Sequence, residues 1–171
     1  FLLLQSEFVI KHFFQAGQEK KAGGETSCRG EASKPYMAMI PLNEENFEGS
    51  VSGGGIVMVD CWARWCGACE TFRQVYEKVA AKHPEITFGS LNTGEEKSLV
   101  SKLGIEHIPT LLLYRDGVLL FQQPGYYEEG VMEDILQQAE TLDMGLVRSE
   151  IVADVKKQDV KTTTYKENPN D

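Results

Sequence analysis

Val59-Asp60-Cys61-Trp62-Ala63-Arg64-Trp65-Cys66-Gly67-Ala68-Cys69 is the stretch on which the reading of this chain turns. It leads from an apolar segment beginning at Ile56, through two tryptophans, into a pair of cysteines. The unbroken apolar run from Ile56 to Cys61 suits a strand buried on both faces. From Cys69 onward, Phe72, Val75, Tyr76, Val79 and Ala80 recur at steps of three and four. That is the spacing of an amphipathic helix ending before Pro84. The cysteines therefore fall at a helix N-terminus, on one face of its first turn, at a separation a disulfide spans. The positive end of the helix favours a thiolate, so Cys66 is expected to lose its proton first. Such a pair can cycle between dithiol and disulfide.

Two other readings of the pair are weaker. Half of a zinc site would need further ligands at short spacing. The remaining cysteines, Cys28 and Cys61, and the histidines, His12, His83 and His107, supply none. An inert structural bridge closing so short a loop would add little stability. The spacing favours redox chemistry.

Working outward, 171 residues suit one domain with extensions, and 42% hydrophobic content suffices for a real core. The net charge of −9 is concentrated: residues 37–148 hold 8 basic against 17 acidic side chains, and the flanks balance. An acidic domain without a basic stripe argues against nucleic acid and against anionic membranes as partners. One Cys-x-x-Cys with two scattered cysteines favours a reducing compartment, and a cytoplasmic location is expected. Phe1 to Phe14 is apolar-rich but broken by Gln5, Ser6, Glu7, Lys11 and His12. It is too short for a membrane span and lacks the pattern of a signal peptide.

Residues 15–35 are polar and Gly-rich and read as linker, so 1–38 is expected to be an N-terminal extension. Order is expected from about Met39. Asn43 before Glu44, Glu45 and Phe47 reads as a capped short helix. Ile86 to Leu91 is a second strand, and Leu99, Val100 and Leu103 mark a short helix closed by Gly104. Thr110–Tyr114 and Val118–Gln122 form a hairpin through Asp116-Gly117. Val131, Ile135, Leu136, Ala139 and Leu142 stripe a final helix. The domain is assigned to 39–147, and 148–171 reads as a disordered polar tail. The expected fold is α/β, a central mixed sheet flanked by helices on both faces.

Three segments carry a resemblance. Val59 to Cys69 resembles the strand and active-site segment of the thioredoxin family. Gly104-Ile105-Glu106-His107-Ile108-Pro109-Thr110-Leu111 resembles that family's cis-proline loop. Tyr114-Arg115-Asp116-Gly117, with Gly125 eight residues later, resembles its hairpin. The resemblance spans roughly residues 39–145. It implies that Cys66 attacks a client disulfide and Cys69 resolves the mixed disulfide. It also implies that Asp60 accepts the Cys69 proton and that Pro109 follows a cis bond. Trp65, Gly67, Ala68, Ile108, Pro109 and Gly125 would form the client-binding surface. The implied cofactor is none beyond the Cys66–Cys69 disulfide. The implied partners are disulfide-containing proteins and a reductase-type electron donor, with the chain acting as a monomer.

The chain departs from the family at several places. Gly-Ala lies between the cysteines where Gly-Pro is usual, and Gln74 stands for the proline of the following helix. Ser90 stands where a lysine commonly faces the buried aspartate, and His107 replaces a small or polar residue. These changes point to an altered poise or clientele. Three functions stay open at this point: a disulfide reductase, a disulfide oxidant or isomerase, and a non-catalytic binding module of the same fold.

Overall fold

The computed structural model describes residues 39–163, and of 154–163 the backbone alone. In chain order it holds β1 (Ile40–Leu42), α1 (Phe47–Ser52), β2 (Ile56–Trp62), α2 (Gly67–Lys82) and β3 (Thr87–Asn92). There follow α3 (Lys97–Leu103), β4 (Thr110–Arg115), β5 (Val118–Pro124), α4 (Glu129–Thr141) and α5 (Met144–Thr163). The expected extension over 1–38, with Cys28, lies outside the described residues. The chain falls into two compact units, one reaching to Glu140 and one from Thr141 that holds α5.

β2 lies at the centre of a sheet ordered β1-β3-β2-β4-β5. It runs parallel to β3 and antiparallel to β4, so the sheet is mixed. A central strand covered on both faces must be apolar throughout, and Val57 to Cys61 are all buried. Alternation along β2 divides the core. Val57, Val59 and Cys61 join Phe47 and Val51 of α1 and Leu99 and Leu103 of α3. Met58 and Asp60 turn to the opposite face, where the Tyr76 hydroxyl of α2 stands 2.7 Å from the Met58 carbonyl and 2.9 Å from that of Gly89. The end of α2 is tied to α4 by Lys82 to Glu129 (2.5 Å) and His83 Nε2 to Glu133 (2.6 Å).

The turn residues act as their chemistry dictates. Gly104 adopts φ 64°, and the Gly104 and Ile105 amides return to the Ser101 and Val100 carbonyls at 3.2 and 3.1 Å. Asp116 and Gly117 take φ 50° and 81°, the left-handed pair a tight hairpin needs. Asp116 also binds Gly55 through both backbone and side chain at 2.9 Å, fastening the hairpin to the start of β2.

Two elements depart from the sequence reading. β1 was not expected, because three residues are too few to show a period. It exists by pairing in parallel with Gly89, Ser90 and Leu91 of β3. The tail expected to be disordered from 148 is corrected over 148–163, where α5 is helical to Thr163. Asp143 Oδ1 accepts from the Gly145 and Leu146 amides at 2.8 and 3.2 Å and starts it. No Pro or Gly follows Gly145 within it. Met144, Val147, Ile151 and Val155 recur at helical steps in it, but Leu146 and Val152 fall off that face and the surrounding polar residues mask the pattern. Residues 164–171 lie outside the described ones. No helix among the described residues is long and apolar enough to cross a membrane.

Candidate active site

β2 ends at Trp62, and four residues later the chain enters α2 with Cys66 as its N-cap. The turn between is held by Cys66 N to Ala63 O at 3.1 Å, and by the Thr93 amide and hydroxyl on the Trp62 carbonyl at 2.8 and 3.1 Å. Cys66 and Cys69 form a disulfide of S–S 2.08 Å and Cα–Cα 5.3 Å. Cys66 is half-buried, Cys69 is buried, and Gly67 and Ala68 are exposed. The Cys69 amide donates to Cys66 Sγ at 3.1 Å. An amide aimed at that sulfur from a helix N-terminus lowers the cost of carrying negative charge there when the bridge is reduced.

Asp60 lies two residues before Trp62 on the same strand face, fully buried. Neither carboxylate oxygen has a hydrogen-bond partner among the described residues. Burial pushes its pKa up to about 7, against an opposing pull from the Arg73 charge. A carboxyl titrating near neutral pH, inside the sheet that bears a dithiol, is suited to exchanging a proton during thiol chemistry. Cys61, its neighbour, faces the opposite core. Burial, with the Asp60 charge adding to it, drives that thiol's pKa upward, and it stays an inert apolar group.

The remaining residues singled out in the sequence gather by strand register. β4 runs antiparallel to β2 with Thr110 opposite Cys61, so Pro109 enters at the end of the sheet where β2 leaves. The Ile108–Pro109 bond is cis, Ile108 is half-buried and Pro109 is buried. The Gly125 amide donates to the Pro109 carbonyl at 2.9 Å, joining the two loops. Gly125 has φ 141°, a conformation side chains other than hydrogen rarely adopt. Trp65 is 78% exposed. His107 is exposed and acts through its carbonyl, which accepts from Thr110 Oγ1 at 2.5 Å. A cleft of about 460 Å³ opens beside the disulfide, lined among others by Trp62, Trp65, Cys66, Cys69 and Arg73.

Arg73 is the residue that sequence reasoning missed. On a helical wheel it reads as an ordinary polar position, one turn past Cys69. In the fold its Cζ lies 4.1 Å from the centre of the Trp62 ring. Trp62 Nε1 in turn donates to Ser90 Oγ at 2.7 Å. Among the described residues no cluster of three or more metal-ligating side chains occurs.

A cysteine pair bridged at a helix N-terminus, directly after the central strand of a mixed sheet, is the arrangement of a thiol–disulfide oxidoreductase. The thioredoxin family model matches residues 38–139. A Streptomyces coelicolor protein that bears the name thioredoxin 2 is 40% identical over 112 residues, covering 66% of this chain and 84% of that protein. A thioredoxin of Alicyclobacillus acidocaldarius is 36% identical over 105 residues, 58% of this chain and all of its own length. In fold, a mutant thioredoxin from Halobacterium salinarum NRC-1 superposes with TM-score 0.58 at 22% identity, covering 66% of this chain and 99% of its own. Mitochondrial thioredoxin 3 from Saccharomyces cerevisiae, in its oxidized form, gives 0.54 at 22% identity, over 58% and 95%. The chain belongs to the thioredoxin family, and its redox group is the Cys66–Cys69 pair itself.

Proposed function

We propose that this chain works in the reducing direction, donating the electrons of Cys66 and Cys69 to disulfides in client proteins. The Cys66 thiolate attacks one client sulfur and forms a mixed disulfide, releasing the other client sulfur as a thiolate. Asp60 takes the Cys69 proton, and the Cys69 thiolate attacks Cys66 Sγ. The Cys66–client bond breaks as the Cys66–Cys69 bond forms. Two electrons have then passed to the client, whose thiolates take protons from solvent. A reductase-type partner returns them to the pair.

The observation that carries this reading is the division of the pair. Cys66 is half-exposed and accepts an amide at a helix N-terminus, while Cys69 is buried behind it. Trp65, Gly67, Ala68, Ile108, Pro109 and Gly125 serve as the client surface. The Ile108 backbone offers an extended client segment strand-like hydrogen bonds. The chain acts as a monomer in a reducing cytoplasm.

Ala68 favours a second reading as oxidant or isomerase, because loss of the usual proline frees the turn and adds a backbone N–H near Cys66. Titration of the Cys66–Cys69 couple against glutathione separates the two. A reductase needs a potential more negative than the glutathione couple, and a more positive value overturns the proposal. Insulin reduction with dithiothreitol tests catalysis itself. Cys66→Ser is expected to abolish the acceleration, and equal rates for variant and wild type would leave only a binding module.

A further inference from the structure

The cleft beside the disulfide holds a cation over an indole, and a hydroxyl outside the cleft fixes that indole; the exchange reaction itself requires none of the three. Arg73 sits on α2 one turn beyond Cys69, on the same helix face. Its guanidinium carbon lies 4.1 Å from the centre of the Trp62 ring, within the distance at which an aromatic face holds a cation. The indole is itself fixed, through Nε1 to Ser90 Oγ at 2.7 Å. Ser90 is the β3 register partner of Asp60. Asp60 and Trp62, two apart on β2, project to the same face. Arg73 is thus anchored over the side chain next along that face from the buried carboxyl.

We infer that Arg73 is a positioning residue for the resolving step: clamped by Trp62, it supplies the positive charge that keeps Asp60 able to receive the Cys69 proton near neutral pH. The inference rests on the proposed role of Asp60 as acceptor. It gives Ser90 a place as well. A lysine there would bring its own charge to the aspartate, whereas serine anchors the ring that carries Arg73.

The groups facing Asp60 leave Arg73 as the charge that matters. On β2 its neighbour is Cys61, kept neutral by burial. From α2 come Arg73 and Tyr76, and burial keeps the Tyr76 phenol neutral. In register from β3 and β4 stand Ser90 and Leu111, which do not titrate. α1 packs against the other face of β2, with Val57, Val59 and Cys61. Arg73 alone among these opposes the upward push of burial on Asp60.

In the step concerned, the Asp60 carboxylate takes the proton from Cys69 Sγ and the resulting thiolate attacks Cys66 Sγ. The electron pair of the Cys66–client bond leaves with the client sulfur, which is then protonated by solvent. Arg73 exchanges no atom or electron in this step.

The test uses the full chain and compares wild type, Arg73→Gln, Arg73→Lys and Asp60→Asn. Two readouts are followed with pH: the Asp60 carboxyl carbon by NMR in the reduced protein, and the single-turnover rate of mixed-disulfide resolution. Arg73→Gln is expected to move the Asp60 midpoint upward and to slow resolution about threefold or more near pH 6, with the rates converging well above the midpoint. Arg73→Lys is expected to restore most of both. An Asp60 midpoint unchanged in Arg73→Gln overturns the inference. A wild-type pH profile in Asp60→Asn overturns the acceptor role, and the inference with it. A loss of rate in Arg73→Gln without a change of midpoint, unrescued by lysine, marks Arg73 as merely structural and also overturns it.

Discussion

At the scale of single residues, Asp60 is where stability and the proposed function oppose one another. Its carboxyl is fully buried without a hydrogen-bond partner among the described residues, and its pKa rises from 3.8 to about 7. The raised folded value means the neutral acid fits the fold and the carboxylate does not. Stability from this group is therefore fully present below the unfolded value of 3.8 and lost as pH rises through about 7. At about 1.4 kcal/mol per pH unit, the loss above neutrality is on the order of 4 kcal/mol. Asp60→Asn, close in shape and unable to ionise, is expected to be more stable than wild type at pH 8 by up to about 4 kcal/mol, the gap closing toward pH 4. Urea unfolding of the oxidised proteins across that range measures it. Parallel pH dependences for the two proteins would show that Asp60 is not the titrating group. The aspartate was legible in the sequence because a carboxylate in an apolar run is conspicuous. Arg73 was not, because a polar residue one turn along a helix from a cysteine is indistinguishable from a solvated one until the Trp62 ring is placed beneath it.

At the scale of elements, the legible ones were those whose local signals agree. β2 shows an apolar run, α2 and α4 show stripes, and the β4–β5 turn carries Asp116-Gly117 at positive φ. β1 is too short to show a period and α5 also carries apolar residues off its main face, so one rests on its neighbour strand and the other on its cap. What places β1 is a missing side chain on β3. A Cβ at Gly89 would lie 2.4 Å from Leu42 Cδ1 and 3.1 Å from its Cγ, and Leu42 is only 4% exposed. The leucine of β1 thus lies directly over the glycine of β3, which also accepts the Tyr76 hydroxyl at 2.9 Å. Gly89→Ala is expected to cost about 1–3 kcal/mol by overpacking, and Leu42→Ala about 2–5 kcal/mol by leaving a cavity. The double variant should fall well short of the sum, because the alanine methyl enters the space the leucine vacates. Denaturant midpoints of the four proteins close the cycle. Additive losses would show that Leu42 and Gly89 do not share that space.

At the scale of the whole molecule, the cysteine pair and every residue assigned to the proposed chemistry lie in the unit that reaches Glu140. The family model ends at 139, before α5 begins. The closing helix of that unit is fastened from within: Arg115 Nη1 of β4 donates to the Ala139 carbonyl at 2.5 Å and to that of Glu140 at 3.1 Å. Two of the last carbonyls of α4, those of Ala139 and Glu140, thus have a partner on β4. α5 is likewise started by a residue of its own unit, Asp143. A chain ending at Asp143 keeps the whole stretch that the family model matches and is expected to unfold cooperatively, with stability within about 0.5 kcal/mol of the full chain. It should reduce insulin at the full-length rate, since the dithiol, Asp60, the cis-proline loop and Gly125 are all retained. Equilibrium unfolding and turnover on the shortened chain check both expectations. A loss of more than about 2 kcal/mol, the size of a core defect, would show that α5 buries part of the domain it follows.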